Sequence, residues 1–210
     1  ANAATYNMAE RYTAYTKGSQ TPSTPQTPSG TTVPPSGARI RLCIEADQRA
    51  GSLLDALERT NGWATFYCTP EFMENNGDLL RRLAVSGSAV GLLLDPEDPA
   101  ESLDQQLKRG NDALYRATLT RTRLVYAGGG DETQQALEQL GYSCLTPDMD
   151  RTDYKLESAA NAAALLKRVS ARRRDVSVWL GTAVSSAGLR EFVTSAQKEG
   201  HYCRALMETG

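Results

Sequence analysis

The sequence predicts an α/β protein: a distorted, incomplete (β/α) barrel of about seven parallel strands, preceded by a disordered linker. From residue 38 onwards, short apolar runs alternate with amphipathic segments, and a Ser/Thr/Pro-rich stretch comes before them. Regular alternation of strands and helices favours parallel strands joined by right-handed crossovers. Continuous apolar runs such as "VGLLL" at 90–94 fit a barrel wall or a sheet covered on both faces. An open doubly wound sheet therefore stays an alternative.

Each predicted strand is short enough to be a buried strand. The seven runs are "RIRLCIEA" (39–46), "ATFYCT" (64–69), "AVGLLLD" (89–95), "RLVYA" (123–127), "SCLT" (143–146), "VSVWL" (176–180) and "YCRAL" (202–206). Between them, apolar residues at helical spacing predict six helices. Their apolar faces include Leu54, Leu80, Leu107, Leu137, Leu166 and Phe192. Gly87 and Gly141 are expected just after two of these helices.

Composition divides the chain into an N-terminal tail with a linker, residues 1–37, and one folded domain, residues 38–210. Residues 19–37 are nearly all Ser, Thr, Pro, Gly and Gln, which cannot bury enough apolar area to offset chain entropy. The whole chain is 40% hydrophobic, enough for one domain with its own core. Linkers of this composition are typical of exported modular proteins, so we expect an extracellular or surface-attached bacterial protein.

Charge and hydropathy exclude two classes of partner. The net charge is −2, so there is no basic field for a phosphate backbone, and we expect no nucleic-acid partner. No apolar segment approaches the roughly 18 residues that a membrane helix needs. The first residues lack the pattern of a signal peptide. We therefore expect a soluble chain without membrane insertion, from which any signal or anchor has been removed.

Ligand sites in such folds collect at the carboxyl ends of the parallel strands. The side chains expected there are mostly acidic, and the lone histidine, His201, is expected at the surface elsewhere. Each acid alone could be a solvated loop residue or a helix cap. Together they could hold a calcium ion or form a carboxylate pair for glycoside chemistry, although their spacing supports neither.

Two long stretches resemble a known family. "LLDALERTNGWATFYCTPEFMENNGDLLRRLAVSGSAVG" at 53–91 is similar to the helix, "ATFF" strand, helix and "GHEIG" turn of the polysaccharide deacetylases, the NodB homology family. "TQQALEQLGYSCLTPDMDRTDY" at 133–154 resembles the helix and "GY" strand that lead to the Asp and Trp motif of that family. The resemblance covers Ile40 to Leu206. It implies a barrel with fewer than eight strands and a groove that, in active members, holds an acetylated glycan.

The resemblance also implies where catalytic groups should lie. Active members remove an N-acetyl group with a divalent metal held by three ligands, assisted by an Asp base and a His acid. The three metal-ligand positions fall on Ala46, Leu93 and Glu97, of which only Glu97 carries a donor. The base, the family arginine, a retained aspartate and the acid fall on Glu45, Tyr126, Asp148 and Gly181. The catalytic positions are thus vestigial, and we expect no metal or other cofactor.

The sequence therefore predicts a pseudoenzyme that binds glycan, peptidoglycan included, or an envelope protein through a vestigial groove. The groove residues would be Glu45, Asp47, Asp95, Glu97, Tyr126, Asp148 and Tyr154. Tyr126 and Tyr154 offer rings that can stack on sugars, although a tyrosine at a strand end can also serve packing. The alternative is a carbohydrate hydrolase, of deacetylase or glycoside type, with altered catalytic residues that include Glu45 and Asp148.

The four cysteines all lie on predicted strands, and no C-x-x-C spacing indicates a metal or redox motif. We expect buried free thiols. If the first and last strands are neighbours, however, Cys43 and Cys203 could pair, which an exported protein would permit.

Overall fold

The computed structural model describes residues 37–150 and 154–207, so the predicted tail and most of the predicted linker lie outside the described residues. The strands are β1 (Arg39–Glu45), β2 (Thr65–Cys68), β3 (Ala89–Leu93), β4 (Leu124–Tyr126), β5 (Ser143–Cys144), β6 (Val176–Gly181) and β7 (Tyr202–Cys203). The helices are α1 (Ala50–Thr60), α2 (Pro70–Asn75), α3 (Gly77–Ser86), α4 (Leu103–Thr118), α5 (Asp131–Gln139), α6 (Ala159–Arg172) and α7 (Ser186–Lys198).

All strand pairs are parallel, which confirms the predicted α/β architecture. The strand order is β5-β4-β3-β2-β1-β6, and β7 also pairs with β1. The sheet curls into an incomplete barrel with the helices outside. An isolated bridge between Met149 and Val178 ties the segment that follows β5 to β6, the other edge of the sheet. The open doubly wound sheet is therefore not the fold.

The structure has seven helices in its described part, where the sequence predicted six. The predicted helix around Leu80 is divided at Asn76, which ends α2 with its side-chain amide on the Phe72 carbonyl, 2.8 Å away. Other helix boundaries follow the sequence. Ser102 begins α4 with a complete capping box, and Gly87 ends α3 at a φ of +87°.

The apolar side chains form two layers. The larger one lies between the strands and the surrounding helices and includes Leu54, Leu80, Leu166 and Phe192. A smaller cluster of Cys43, Tyr67 and Trp179 lies on the other face of the sheet, inside the barrel. Because successive residues of a strand point to opposite faces, each strand contributes to both layers.

His201 is not the surface residue that the sequence predicted. Its side chain is only 12% exposed. Its Nδ1 accepts a hydrogen bond from the Ala38 amide at 3.0 Å, and its Nε2 lies 3.0 Å from the Ser170 hydroxyl. The histidine thus joins the start of β1 to α6, at the end of the barrel opposite the predicted site.

Among the described residues, no helix combines the length and the apolar character that crossing a membrane would require.

Candidate functional site

The interior of the barrel is filled by side chains from all seven strands or from the segments that directly follow them. Cys43 of β1, Tyr67 of β2 and Trp179 of β6 form the centre and are at most 4% exposed. The residues that pack around them are Leu93, Tyr126, Leu145 and Leu206. We name these seven residues the interior cluster. Leu206 follows β7 and is anchored by its amide, which donates to the Thr65 hydroxyl at 2.9 Å.

Three aromatic rings give the interior cluster its shape. The Trp179 and Tyr67 rings meet edge to face, with centroids 5.6 Å apart at an interplanar angle of 74°. Tyr126 lies 4.3 Å from Trp179 and 6.2 Å from Tyr67. Gly91 makes room for the Tyr67 ring, because a Cβ at this glycine would come within 2.6 Å of it. These contacts make the mouth of the barrel a packed apolar region.

The hydroxyl of Tyr67 lacks a hydrogen-bond partner among the described residues, although the side chain is fully buried. Burial raises the pKa of this phenol well above its ordinary range. Burial also raises the pKa of the adjacent Cys43 thiol, to about 12. Both groups are therefore neutral at physiological pH, and neither serves as a nucleophile or an anionic ligand.

Removing the Tyr67 hydroxyl should cost no stability. Since a buried donor without a partner is unfavourable, we expect Tyr67→Phe to leave the free energy of unfolding unchanged or to raise it by about 1 kcal/mol. Thr65→Val is the matched control, because the Thr65 hydroxyl accepts a hydrogen bond and its removal should cost about 1–3 kcal/mol. Urea unfolding of both variants gives the comparison. A loss above 1 kcal/mol in Tyr67→Phe would show that the hydroxyl is bonded to internal water.

The side chains at the predicted metal-ligand positions do not fit a metal ion. Leu93 packs against the interior cluster, and Ala46 is buried with its amide on the Tyr67 carbonyl, 2.9 Å away. Glu97 is exposed in the loop after β3. Across residues 37–150 and 154–207, no group of three or more His, Cys, Asp or Glu side chains is arranged to hold a metal. A three-ligand catalytic site therefore has one donor at most.

The loop after β3 is fixed by hydrogen bonds rather than by a ligand. The Asp95 carboxylate accepts from the Glu97 amide at 2.9 Å, which makes it a turn residue. Gln106 of α4 is buried and bonds both backbone groups of Asp95, at 2.8 and 2.7 Å. Asp95 thus has the structural role that the sequence left open, and Glu97 stays exposed beside it.

Three further predicted residues lie at the carboxyl ends of β1 and β6. Glu45 is partly buried and lies opposite Tyr67 in the β1–β2 register. The Asp47 carboxylate binds Arg49 at 2.9 Å, and Arg49 also donates to two carbonyls in the loop after β6. Gly181 ends β6 with a φ of +57°, next to an irregularity in the β1–β6 register. We name Glu45, Asp47 and Gly181 the rim. Within the described part of the chain, Glu45 has the one carboxylate of the rim that forms no ion pair.

Asp148 does not lie with the other predicted groove residues. Its carboxylate accepts hydrogen bonds from the Ser177 amide at 2.9 Å and hydroxyl at 3.2 Å, and Arg174 lies 3.3 Å away. Ser177 pairs with Arg41, four residues before Glu45 along β1. At about 3.3 Å per residue, Asp148 is therefore about 13 Å from Glu45 along the strands. Asp148 lies beside the amino end of β6, because the segment that follows β5 pairs with β6 at Val178.

Tyr154 also differs from its predicted place. Arg168 of α6 lies over its ring at 5.1 Å and donates to its hydroxyl at 3.2 Å. The ring packs against the larger apolar layer outside the barrel rather than against the interior cluster. Of the two tyrosines expected in the groove, Tyr126 packs against the interior cluster and Tyr154 does not.

A shallow cleft of about 460 Å³ opens beside Leu93 at the carboxyl ends of β2 to β4. Its walls are formed by the β2–α2 turn, the loop after β3 and α4. Thr69, Glu71, Leu93, Asp95, Arg109 and Ala127 line it. Arg109 forms ion pairs with Glu74 and Glu101, which neutralise its charge. The net charge of the side chains that line the cleft is therefore negative. We name it the β3 cleft.

Several residues of the site were not singled out from the sequence. Tyr67 lies in an apolar run that predicted only a strand, and Cys43 was considered only as a buried thiol or a disulfide partner. Glu71, Gln106 and Arg109 lie on helices. The alternation of side chains along a strand could have indicated Cys43 as a site residue, because Cys43 is two residues before Glu45 and lies on the same face of β1. The sequence did not reveal which face of each strand is enclosed by the barrel.

Comparison with known proteins is informative only at the level of structure. No protein-family model matches the sequence, and no curated protein matches it. The peptidoglycan deacetylase PdaC from Bacillus subtilis matches with a TM-score of 0.65 at 19% identity, over 83% of this chain and 90% of that chain. The polysaccharide deacetylase Bc1974 from Bacillus cereus matches with a TM-score of 0.65 at 14% identity, over 81% of this chain and 93% of that chain.

Two matching structures are mutants of a protein described as a pseudoenzyme, and one of these mutants has restored enzymatic activity. A mutant of BA3943, a CE4 family pseudoenzyme, has a TM-score of 0.63 at 20% identity, over 82% of this chain and 67% of that chain. These likenesses extend across most of the domain, and they agree with the resemblance seen in the sequence. In its described residues, this chain therefore has the fold of the family 4 polysaccharide deacetylases.

Proposed function

We propose that this chain is a deacetylase-like domain without catalytic activity, which binds cell-wall glycan through the β3 cleft and the adjacent rim. The observation that carries the proposal is the position of Leu93. It packs into the interior cluster where the family resemblance expects a metal ligand. A leucine has no lone pair to donate, and without a metal ion water near neutral pH is a poor nucleophile for amide hydrolysis.

The matching structures support both parts of this proposal. PdaC is a peptidoglycan deacetylase, so its fold is used on cell-wall glycan, and BA3943 is a pseudoenzyme with that fold. The Ser/Thr/Pro-rich linker fits an exported domain that is held near the wall. An envelope protein bound at the same rim is the second candidate partner.

A hydrolase that uses Glu45 and Asp148 is less well supported. The backbone positions of the two residues are offset by about 13 Å along the strands, whereas the carboxyl groups of a glycosidase pair are roughly 5–9.5 Å apart. Asp148 is also engaged by Ser177 and Arg174. We therefore do not assign these residues to a shared reaction.

Catalytic inactivity is tested by metal content and by acetate release. We expect purified protein incubated with zinc and dialysed to retain far less than one ion per chain, since two of three ligand positions carry no donor. Acetate release from chitin oligomers and peptidoglycan should equal the background without protein. Stoichiometric zinc together with turnover that Glu45→Gln abolishes would overturn the proposal.

Glycan binding is tested by retention on insoluble peptidoglycan. We expect wild-type protein to be retained and Ala127→Trp, which fills the β3 cleft, to be released. Tyr126→Ala should also lose retention, with its thermal unfolding checked because the ring packs on Trp179. Tyr115→Ala is the matched control, because Tyr115 is 41% exposed on α4 and does not line the cleft. If Ala127→Trp is retained like wild type, the cleft is not the glycan site.

A further inference from the structure

A second cluster of charged side chains lies at the opposite end of the barrel, near the amino ends of β1 and β7. Arg39 and Arg41 are two residues apart in β1, on the face that Cys43 turns to the interior. Arg204 directly follows β7, and its amide donates to the Ile40 carbonyl at 3.0 Å. We name Arg39, Arg41 and Arg204 the arginine cluster.

Two members of the arginine cluster are held in place by their neighbours. The Arg204 guanidinium lies over the Trp63 ring at 4.5 Å and near the Tyr202 ring at 5.0 Å. Its Nη1 donates to the Cys203 carbonyl at 3.1 Å. Arg41 is partly buried and donates to the Ala205 carbonyl. Stacking and backbone hydrogen bonds thus fix these side chains before any ligand arrives.

Among the described residues, no ion pair balances the positive charge of the cluster. In the part of the chain that the structure describes, none of its three arginines forms an ion pair with a carboxylate. A nearby acid in the described part of the chain is Asp175, whose side chain accepts a hydrogen bond from the Arg39 backbone amide at 2.8 Å. Burial and the charges of Arg39 and Arg204 lower the pKa of Arg41, which Asp175 only partly offsets. A bound anion would relieve this repulsion.

We propose that the arginine cluster is a binding site for a phosphate group. Guanidinium groups match the oxygens of phosphate in geometry, and each carries five N–H donors. Within the described residues, Arg41 and Arg204 each donate one N–H group to a backbone carbonyl, so their other N–H groups can donate to a phosphate. A phosphate near its dianionic state offsets more of the three charges than one carboxylate does. The site is independent of the β3 cleft, at the other end of the barrel.

Titration calorimetry with inorganic phosphate at low ionic strength tests this site. We expect measurable binding by wild type and affinity reduced by about tenfold or more in Arg39→Gln and in Arg41→Gln, because each loses a charge-assisted contact. Arg190→Gln is the matched control, since Arg190 is exposed on α7, which begins near the carboxyl end of β6. The control should bind phosphate like wild type.

Thermal unfolding separates a ligand site from a purely structural cluster. Without phosphate, Arg39→Gln should unfold at a temperature equal to or above that of wild type, because it removes repulsion from an exposed position. Phosphate should raise the unfolding temperature of wild type above that in chloride of equal ionic strength, and it should raise that of Arg39→Gln much less. Equal shifts in wild type and Arg39→Gln would overturn the proposal.

A poly(glycerol phosphate) probe distinguishes the two sources of the phosphate group. Binding of the polymer in competition with inorganic phosphate, and dependent on Arg41, assigns the site to a phosphodiester polymer. Binding of inorganic phosphate alone assigns it to the free ion. Absence of binding by both probes, or an equal loss in Arg190→Gln, would contradict a phosphate site.

Discussion

Trp179→Ala should lower the free energy of unfolding by about 3–5 kcal/mol, the range for large aromatic residues removed from a packed core. Trp179 is 4% exposed and meets both Tyr67 and Tyr126. In an open catalytic pocket, a ring at this position would face solvent or substrate, and its removal would cost little. The stability loss therefore measures whether the barrel mouth is a hydrophobic core.

Urea unfolding of wild type, Trp179→Ala and Trp179→Phe provides the measurement. The phenylalanine variant keeps most of the buried ring and should lose less stability than the alanine variant. Trp63→Ala is a second comparison, because Trp63 is only partly buried outside the interior cluster. A loss below 1 kcal/mol in Trp179→Ala would contradict a packed mouth of the barrel.

Stability should fall steeply as the pH rises above about 8.5, where cysteines of the unfolded chain begin to ionise. Burial raises the pKa of Cys43, Cys68 and Cys203 to about 12 in the folded protein. A thiol with a raised pKa keeps its proton in the folded state while the unfolded state loses it. Its contribution to stability is thus complete below pH 8.5 and is lost as the pH rises towards 12.

The expected slope is about 1.4 kcal/mol per pH unit for each fully buried thiol, or about 4 kcal/mol per unit for the three together. Urea unfolding at pH 7, 8.5 and 10 gives this slope, and the Cys68→Ala variant should reduce it by about a third. Titration with a thiol reagent at pH 8 should modify these three cysteines only on unfolding. An unchanged slope in Cys68→Ala would show that other groups cause the alkaline sensitivity.

The titration with a thiol reagent also tests whether Cys43 and Cys203 form the disulfide that the sequence left open. β1 and β7 are neighbours, as a disulfide would require, but Cys203 pairs with Ile40 rather than with Cys43. The two sulfurs also belong to different apolar layers, Cys43 inside the barrel and Cys203 outside. All four cysteines are free in the structure, as the sequence favoured.

The sequence by itself determined where the seven strands lie along the chain and which of the predicted metal-ligand positions carry no donor atom. Apolar runs and helical spacing are local signals, so they located every strand and missed only the division at Asn76. Residue type alone shows that Leu93 and Ala46 cannot donate a lone pair to a metal. Neither conclusion depends on how the strands are arranged in space.

Only the tertiary structure decided which side chains lie together. The parallel register places Asp148 beside Ser177, far from Glu45, and it brings Arg204 next to Arg41, 163 residues earlier in the chain. It also encloses one face of each strand, so that Tyr67, Tyr126 and Trp179 meet where a groove was expected. The reason is physical: hydrogen bonds between strands distant in sequence fix register and facing, and local periodicity carries no information about either.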